Sequence, residues 1–391
     1  MSRKALILMG VYGRIAEDAR VVRSAQVLAS RFDVVVVARA SARGCYCGEL
    51  KVVEIGAGVL DRAPFLRLAW FWVRFIALAV RMRPAVVYAH DFYMAFPGRI
   101  AAALSRAKLV YDAHELIITT RKNPQGIVYR LFCLLERFAV HSAVLIIAAN
   151  RYRARLMKKY YGLNRLPVPI RNIPSPAQRQ AHSDVEQRFS FLRSDGRKVI
   201  IYEGNVAFSR GVHHFVNAMS LLRDDCVMVL VGQGTGLDAV RQSVARYGLG
   251  RDVILLDNVP HADLHTILGL CHIGIVTYSF SGLNNIYCSP NKLFEYAYAG
   301  LPVVSSGQRV LRQVVERYRI GECLSEKEMA QPETVAATIR RVLQNIALCQ
   351  GNLTSFLKEC NWDHEGASLV SGVTEVMPRP TLSGGTLCET A

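Results

Sequence analysis

Residues 289–304 read SPNKLFEYAYAGLPVV, and this stretch passes from a polar loop through a helix into a buried strand. Ser289 before Pro290 is a helix-start signal, because a proline in the first turn wastes no hydrogen bond, and Gly300 is a helix stop. Leu301-Pro302-Val303-Val304 then supplies a short, β-branched, wholly apolar run. Lys292 and Glu295, three apart, share one helix face. A capped helix feeding directly into an apolar strand is half of a βαβ unit, so the neighbouring segments decide whether a whole sheet is present.

They continue the pattern in both directions. Upstream, strands are expected at 198–202 (KVIIY), 226–231 (CVMVLV), 252–256 (DVILL), 272–277 (HIGIVT) and 302–305, with amphipathic helices between them. Uninterrupted apolar strands alternating with helices indicate a parallel sheet covered on both faces. Residues 172–188 (NIPSPAQRQAHSDVEQR) break the alternation and read as a linker. Before them the alternation recurs, with strands at 5–9, 33–38, 51–55, 85–89, 108–112 and 143–148, and helices at 18–31, 64–83, 95–106, 125–141 and 150–161. The reading is an α/β protein of two tandem doubly wound, Rossmann-like domains. Residues 1–178 form the first and 179–355 the second. A C-terminal helix within 356–378 opens at Cys360-Asn361-Trp362-Asp363, and residues 379–391 are expected to be a disordered tail. In such sheets ligands bind beyond the carboxyl ends of the strands, so function is sought in the loops there.

The chain has 391 residues, with 51% hydrophobic and 20% charged, a globular balance that excludes disorder and a small disulfide scaffold. Its ten cysteines lack metal-knuckle spacing and read as reduced thiols. No apolar run is long enough to span a bilayer, and no leader cleavage site follows Ala5–Met9. The net charge of +17 is unevenly placed: residues 1–178 hold 28 basic against 10 acidic residues, and the remainder 20 against 21. This asymmetry points to an anionic partner of the first half, either a membrane surface or nucleic acid. Its focus is 65–83 (FLRLAWFWVRFIALAVRMR), where Arg67, Arg74 and Arg81 recur every seven residues beside Trp70. A helix with that pattern suits a membrane interface. A core helix with a solvated edge is the alternative, and RYRARLMKK (151–159) is a second basic run.

Several motifs carry candidate chemistry. The helix opened by Pro290 offers its N-terminus to a diphosphate, with Asn291 and Lys292 beside it and Glu295 placed to accept from ribose hydroxyls. A surface ion pair is the competing reading. YEGNVAFSRG (202–211) and the Val231-Gly232-Gln233-Gly234 turn are glycine-containing loops after strands. KLVYDAHEL (108–116) and YAHD (88–91) bring His114, Glu115, His90 and Asp91 to strand ends. No Asp-x-Asp triplet exists, and His261/His265, His213-His214 and Cys45/Cys47 lack partners, so no metal and no cofactor is expected.

On these motifs the chain resembles the GT-B glycosyltransferases of family 4, in the branch found among surface-polysaccharide enzymes. The family pattern has two glutamates eight positions apart before a Gly-Leu-Pro-Val-Val run. Glu295 matches the second, which binds the nucleotide ribose, and Tyr287 stands at the first. At 202–211 Arg210 matches one of two basic positions, and Asn205 occupies the other. The resemblance implies donor binding by Asn205, Gly232, Asn258, Tyr287, Asn291, Lys292 and Glu295, with His114, Glu295 and Arg210 as the catalytic set. It places Gly10 and Gly13 (GVYG), Asp18, Asp91 and Glu115 on the acceptor side, although Asp18 also reads as a helix N-cap. The implied activity is metal-independent, retaining transfer from a nucleotide-sugar to a lipid-linked or polysaccharide acceptor. The expected location is the cytoplasmic face of a membrane, held peripherally by Arg67, Trp70, Arg74 and Arg81, with no nucleic-acid partner. A sugar-nucleotide epimerase of similar fold and a catalytically degenerate binding module remain as alternatives.

Overall fold

The computed structural model describes residues 4–40, 49–118, 126–174, 183–194, 196–256 and 259–377. The first half runs β1 (Leu6–Val11), α1 (Ala19–Ala29), β2 (Asp33–Arg39), β3 (Lys51–Ile55), α2 (Pro64–Met82), β4 (Val86–His90), α3 (Phe92–Ser105), β5 (Lys108–Ala113), α4 (Ile127–Ser142), β6 (Leu145–Ala148), α5 (Arg151–Tyr161) and β7 (Val168–Pro169). Its strands form one parallel sheet ordered β3-β2-β1-β4-β5-β6-β7. The order reverses between β1 and β4, where Val11 pairs with His90 at the carboxyl edge. Tightly buried Val34–Ala38 and Val86–Ala89 explain why these strands read as continuous apolar runs.

The second half begins with α6 (Ser183–Phe189), β8 (Lys198–Glu203), α7 (Val212–Ala218), β9 (Cys226–Val231), α8 (Leu237–Tyr247), β10 (Val253–Leu256), α9 (His261–Gly269) and β11 (Ile273–Val276). It continues with α10 (Leu283–Ile286), α11 (Asn291–Tyr298), β12 (Val303–Ser306), α12 (Arg309–Tyr318), β13 (Gly321–Leu324), α13 (Glu326–Met329), α14 (Pro332–Gln344), α15 (Ile346–Glu359) and α16 (Trp362–Val376). The second sheet is also parallel, in the order β10-β9-β8-β11-β12-β13. Part of the expected linker is helical: α6 buries Val185 and Phe189 in the second core. Residues 175–182 and the tail 379–391 lie outside the described residues.

α15 packs in the second half through Leu353 and Phe356, and the chain then crosses back. α16 lies on the first sheet through Trp362, Leu369 and Val373. Arg171 fastens the crossing: its backbone N–H and its Nε each donate to the Glu365 carboxylate at 2.7 Å.

α2 departs from a uniform stripe of arginines. Pro64 starts the helix, Leu68, Phe71, Phe75 and Ala79 bury one face, and Arg83 stops it in a left-handed conformation at φ 48°. Arg74 and Arg81 are exposed, but Arg67 turns inward and donates to the Tyr12 hydroxyl at 3.1 Å. Seven residues fall about 20° short of two turns, so the three arginines drift around the helix, and Arg67, at the helix start, is the one within reach of Tyr12. Among the described residues no helix is long and apolar enough to cross a membrane.

Candidate functional site

The carboxyl ends of β8, β9 and β11 and the start of α11 enclose a cleft of about 760 Å³, lined among others by Glu203, Gly232, Tyr278, Asn291, Lys292 and Glu295. Two glycine-bearing loops close its floor. Gly232 has φ 140°, and a Cβ there would stand 2.1 Å from the Gly204 carbonyl oxygen. Only glycine permits that approach. Asn205 also lines the cleft, and its carbonyl accepts the Tyr202 hydroxyl at 2.7 Å.

Lys292 is the centre of the cleft's electrostatics. Its side chain is buried, Nζ donates to the Glu203 carbonyl at 2.5 Å, and the ammonium stands 4.3 Å from the Tyr202 ring centroid. Burial pulls its pKa down to about 8, opposed by the attraction of Glu203. The Glu203 carboxyl is pushed well above the usual carboxylate range, by burial and then by Glu295 beside it, and its Oε2 has no hydrogen-bond partner. Arg210 lies over the Tyr278 ring at 4.7 Å. The cleft thus offers a cation, the N-terminus of α11 and a carboxyl able to donate or accept, which is the chemistry a diphosphate and a sugar require.

Facing it from the first half is a polar cluster. Arg20 bonds Asp112 through Nη2 at 2.6 Å and Nε at 3.1 Å, and the Tyr88 hydroxyl donates to the same carboxylate at 3.2 Å. That partnership drives the Asp112 pKa down to about 2 against the effect of burial. His90 Nδ1 and His114 Nε2 are 3.1 Å apart, and His114 Nδ1 lies 3.6 Å from Asp18 Oδ2. Burial holds both imidazoles below their ordinary pKa, His90 to about 3, so both are neutral near pH 7. With His114 Nδ1–H turned to Asp18, its Nε2 accepts from His90, which leaves the buried His90 Nε2 without a partner.

His90, Asp112 and His114 have ligand atoms close enough for a metal ion. Their only carboxylate already carries Arg20 and Tyr88, and the guanidinium supplies the charge a metal would bring. The cluster is a neutral histidine pair over a buried ion pair. Asp18 caps α1 by accepting from Val21 N, and its Oδ2 lies 3.6 Å from His114 Nδ1. Asp91 is more unusual. It has φ 62° and ψ 166°, a region otherwise left to glycine, with Oδ1 buried and unpartnered and its pKa raised by burial and by Glu115. Glu115 is exposed beside it.

The remaining predicted residues are distributed as follows. Gly13 is partly exposed at the end of β1, and Gly10 is packed beneath Phe75 and Met94, where a Cβ would not fit. Asn258 lies outside the described residues. Tyr287 faces the seam between the halves: its ring stacks on Tyr152 at 5.9 Å and its carbonyl accepts from Asn150 and Arg153, both at 2.9 Å. Glu203, named from the sequence as a cleft carboxylate that an epimerase could use, lines the donor cleft, whereas Arg20, Asp112 and Arg153 were not singled out. The i, i+1, i+4 and i+8 burial of Arg153, Ala154, Met157 and Tyr161 is a periodicity that marks Arg153 as inward-facing.

α4 adds a surface the sequence reading did not isolate. Ile127, Leu131, Leu134 and Phe138 form one exposed apolar stripe, and Phe65, Leu66, Val73 and Val80 do the same on α2. Neither helix exposes a carboxylate, since Glu136 on α4 is buried and bonded by Tyr111 and Tyr161.

Comparison with known proteins agrees with this architecture in both halves. Residues 19–175 match the model described as Glycosyltransferase Family 4, and residues 183–350 match Glycosyl transferases group 1. A glycogen synthase of Mycobacterium tuberculosis is 20% identical over 298 residues, covering 75% of this chain and 68% of its own. The solved structure of Anabaena Alr3699/HepE in complex with UDP-glucose superimposes with a TM-score of 0.73 at 16% identity, over 95% of this chain and all of that one. WaaG, a glycosyltransferase involved in lipopolysaccharide biosynthesis, gives a TM-score of 0.66 at 14% identity over 97% of this chain and 100% of its own. With both of its halves matched by glycosyltransferase models and the two-sheet architecture shared throughout, this chain belongs to the GT-B glycosyltransferases of the family 4 type.

Proposed function

We propose that this glycosyltransferase moves a sugar from a nucleoside-diphosphate donor to a lipid-linked or polysaccharide acceptor, with retention and without a metal ion. The observation that carries the reading is the buried Lys292 ammonium at the start of α11, in a cleft it shares with Glu203, Asn205, Gly232 and Glu295. Lys292, Arg210 and the N-terminus of α11 stabilise the departing diphosphate, and Glu295 accepts from the ribose. Neutral His114 lies against the donor sugar, and Asp91, Glu115 and Asp18 receive the acceptor. The UDP-glucose bound in the HepE structure supports a nucleotide-sugar donor.

Thermal shifts with UDP-, GDP- and ADP-sugars test the donor, because a ligand that binds only the folded state raises its apparent stability. At least one should stabilise the protein and be consumed only when an acceptor is supplied. Release of free epimerised sugar would favour the epimerase reading, and no turnover of any stabilising donor would favour a binding module. Turnover that is lost in EDTA and restored by magnesium or manganese would refute metal independence.

The acceptor class rests on the exposed apolar stripes of α2 and α4 and the surplus of basic residues in the first half, which together suit a cytoplasmic anionic membrane surface. Replacing Arg74 and Arg81 by Gln and Leu134 and Phe138 by Ser should release the protein from anionic vesicles while transfer to a soluble acceptor continues. Unchanged sedimentation with those vesicles, or none by the unaltered protein, would refute the membrane reading.

A further inference from the structure

The first turn of α5 sends one side chain across the seam between the two halves. Arg153 is buried, and its guanidinium makes four donations: Nε to the Tyr287 carbonyl at 2.9 Å, Nη1 to the His114 carbonyl at 2.7 Å, and Nη2 to the Asn284 carbonyl at 2.9 Å and Oδ1 at 2.5 Å. Asn150, which caps α5, donates to the same Tyr287 carbonyl, and the Leu116 N–H donates to Asn284 Oδ1 at 3.2 Å. The segment Asn284–Tyr287 of the second half is therefore gripped from the first half at two carbonyls and one amide side chain. It leads within two residues to Ser289, Pro290 and Asn291, which line the donor cleft.

Every acceptor of Arg153 is neutral, and it has no ion pair among the described residues. A buried cation with no contacting counter-charge is costly, and burial lowers the pKa of this guanidinium against weaker attraction from Cys288 and Glu115. Simple cohesion at this seam would be better served by an apolar side chain. What a guanidinium adds is a planar fork that fixes three acceptors on two domains at once. Three of its four donations go to the second half, so those three exist only while the halves are together.

We propose that Arg153 is a positioning residue, a clamp that ties the His114 main chain to the Asn284–Tyr287 segment and sets the closed register of the two half-sites. The inference rests on the reading of those half-sites as one transferase centre. The clamp's bonds favour the closed arrangement and its desolvation opposes it, so the pair of half-sites is held in register by hydrogen-bond geometry rather than by charge.

The test is Arg153→Met and Arg153→Lys in the full chain, with UDP, GDP and ADP as calorimetric probes, donor turnover, and small-angle scattering with and without nucleotide. The methionine variant should bind the nucleoside diphosphate within about threefold of the unaltered protein, yet lose about tenfold or more in kcat, because alignment rather than donor affinity is removed. Its radius of gyration should exceed that of the unaltered protein in the ligand-free state and fail to contract when nucleotide binds. Lysine keeps the charge but cannot span three acceptors, so kcat should stay low. Normal kcat and radius in either folded variant overturns the clamp, as does a loss of nucleotide affinity proportional to the loss of kcat, which would make Arg153 a donor contact. If the methionine variant does not fold, the lysine variant and Asn284→Ala carry the same readouts. If the unaltered protein binds none of the three nucleotides, the transferase reading fails instead. The ligand-free radius then judges the clamp alone, and an unchanged radius overturns it.

Discussion

Replacing Lys292 by Met separates the cost of the donor site from its use. The ammonium is the only charge on that side chain, and the substitution conserves most of the volume beneath Tyr202. Lowering a lysine pKa from its ordinary 10.5 to about 8 corresponds to about 3 kcal/mol of destabilisation of the charged form by its buried setting. Against this, the hydrogen bond to the Glu203 carbonyl is charge-assisted, and such bonds contribute about 1.5–3 kcal/mol. The two nearly cancel, so Lys292→Met should unfold in urea within about 2 kcal/mol of the unaltered protein, on either side.

Catalysis does not share that cancellation. On the proposed reading the cation faces the position where the diphosphate gains charge as it leaves, and removing one preorganised electrostatic donor from such a site costs roughly 10²–10³ in kcat. The assay is steady-state transfer at saturating donor, paired with the urea curve. Turnover within about threefold of the unaltered protein would refute the assignment of Lys292 to the leaving group. A loss of about 4 kcal/mol or more in stability would instead identify the ammonium as structural.

The same lysine predicts a pH profile: kcat/KM for the donor should fall as pH rises through about 8, where the free enzyme loses the ammonium. Folding stability should move the opposite way, rising between about 8 and 10.5, because there the unfolded chain holds the proton and the folded chain does not. A flat donor profile across that range would contradict both. Asp112→Asn should destabilise the first half by about 3–5 kcal/mol, since it leaves Arg20 buried without its counter-charge. The carboxylate's pKa is depressed to about 2, so its contribution is present above its ordinary pKa near 4 and is lost as pH falls toward 2. Acid-unfolding curves of the variant should lack that loss, and curves superimposable on those of the unaltered protein would refute the role of the pair.

Most strands that were legible in the sequence are those buried on both faces, where burial turns a parallel strand into an unbroken apolar run. The edge strands β3 and β10 were legible from their own short β-branched or apolar runs. β7 has two residues, Val168 and Pro169, and β13 reads GECL with three half-exposed positions. Both are sheet edges as well, and in these two the apolar signal disappears. The donor helix was legible because Ser289-Pro290, Lys292, Glu295 and Gly300 are local in sequence. Glu203 was legible only as one more carboxylate at a strand end, and its contacts with Lys292 and Glu295 appear only once α11 packs over it. Arg20 and Asp112 are 92 residues apart, and no local pattern joins them. Arg153 was hidden in a basic run whose composition suggested a solvated face, although its spacing from Ala154, Met157 and Tyr161 placed it inside.

The two kinds of positive charge in this chain do different work. Lys292 and Arg210 belong to the half whose formal charge is close to neutral, so the surplus of the first half is not what holds the diphosphate. That surplus includes Arg74 and Arg81 on α2 and Arg130 and Arg137 on α4, alongside apolar residues left open to solvent. Exposed charges act over a distance that salt shortens to about 8 Å at physiological ionic strength, whereas a buried ammonium at contact distance is screened far less. Raising salt should therefore detach the protein from anionic vesicles well before it weakens donor turnover with a soluble acceptor. Parallel decline of both would mean that one electrostatic surface serves donor and membrane alike, and the division of labour between the two halves would have to be abandoned.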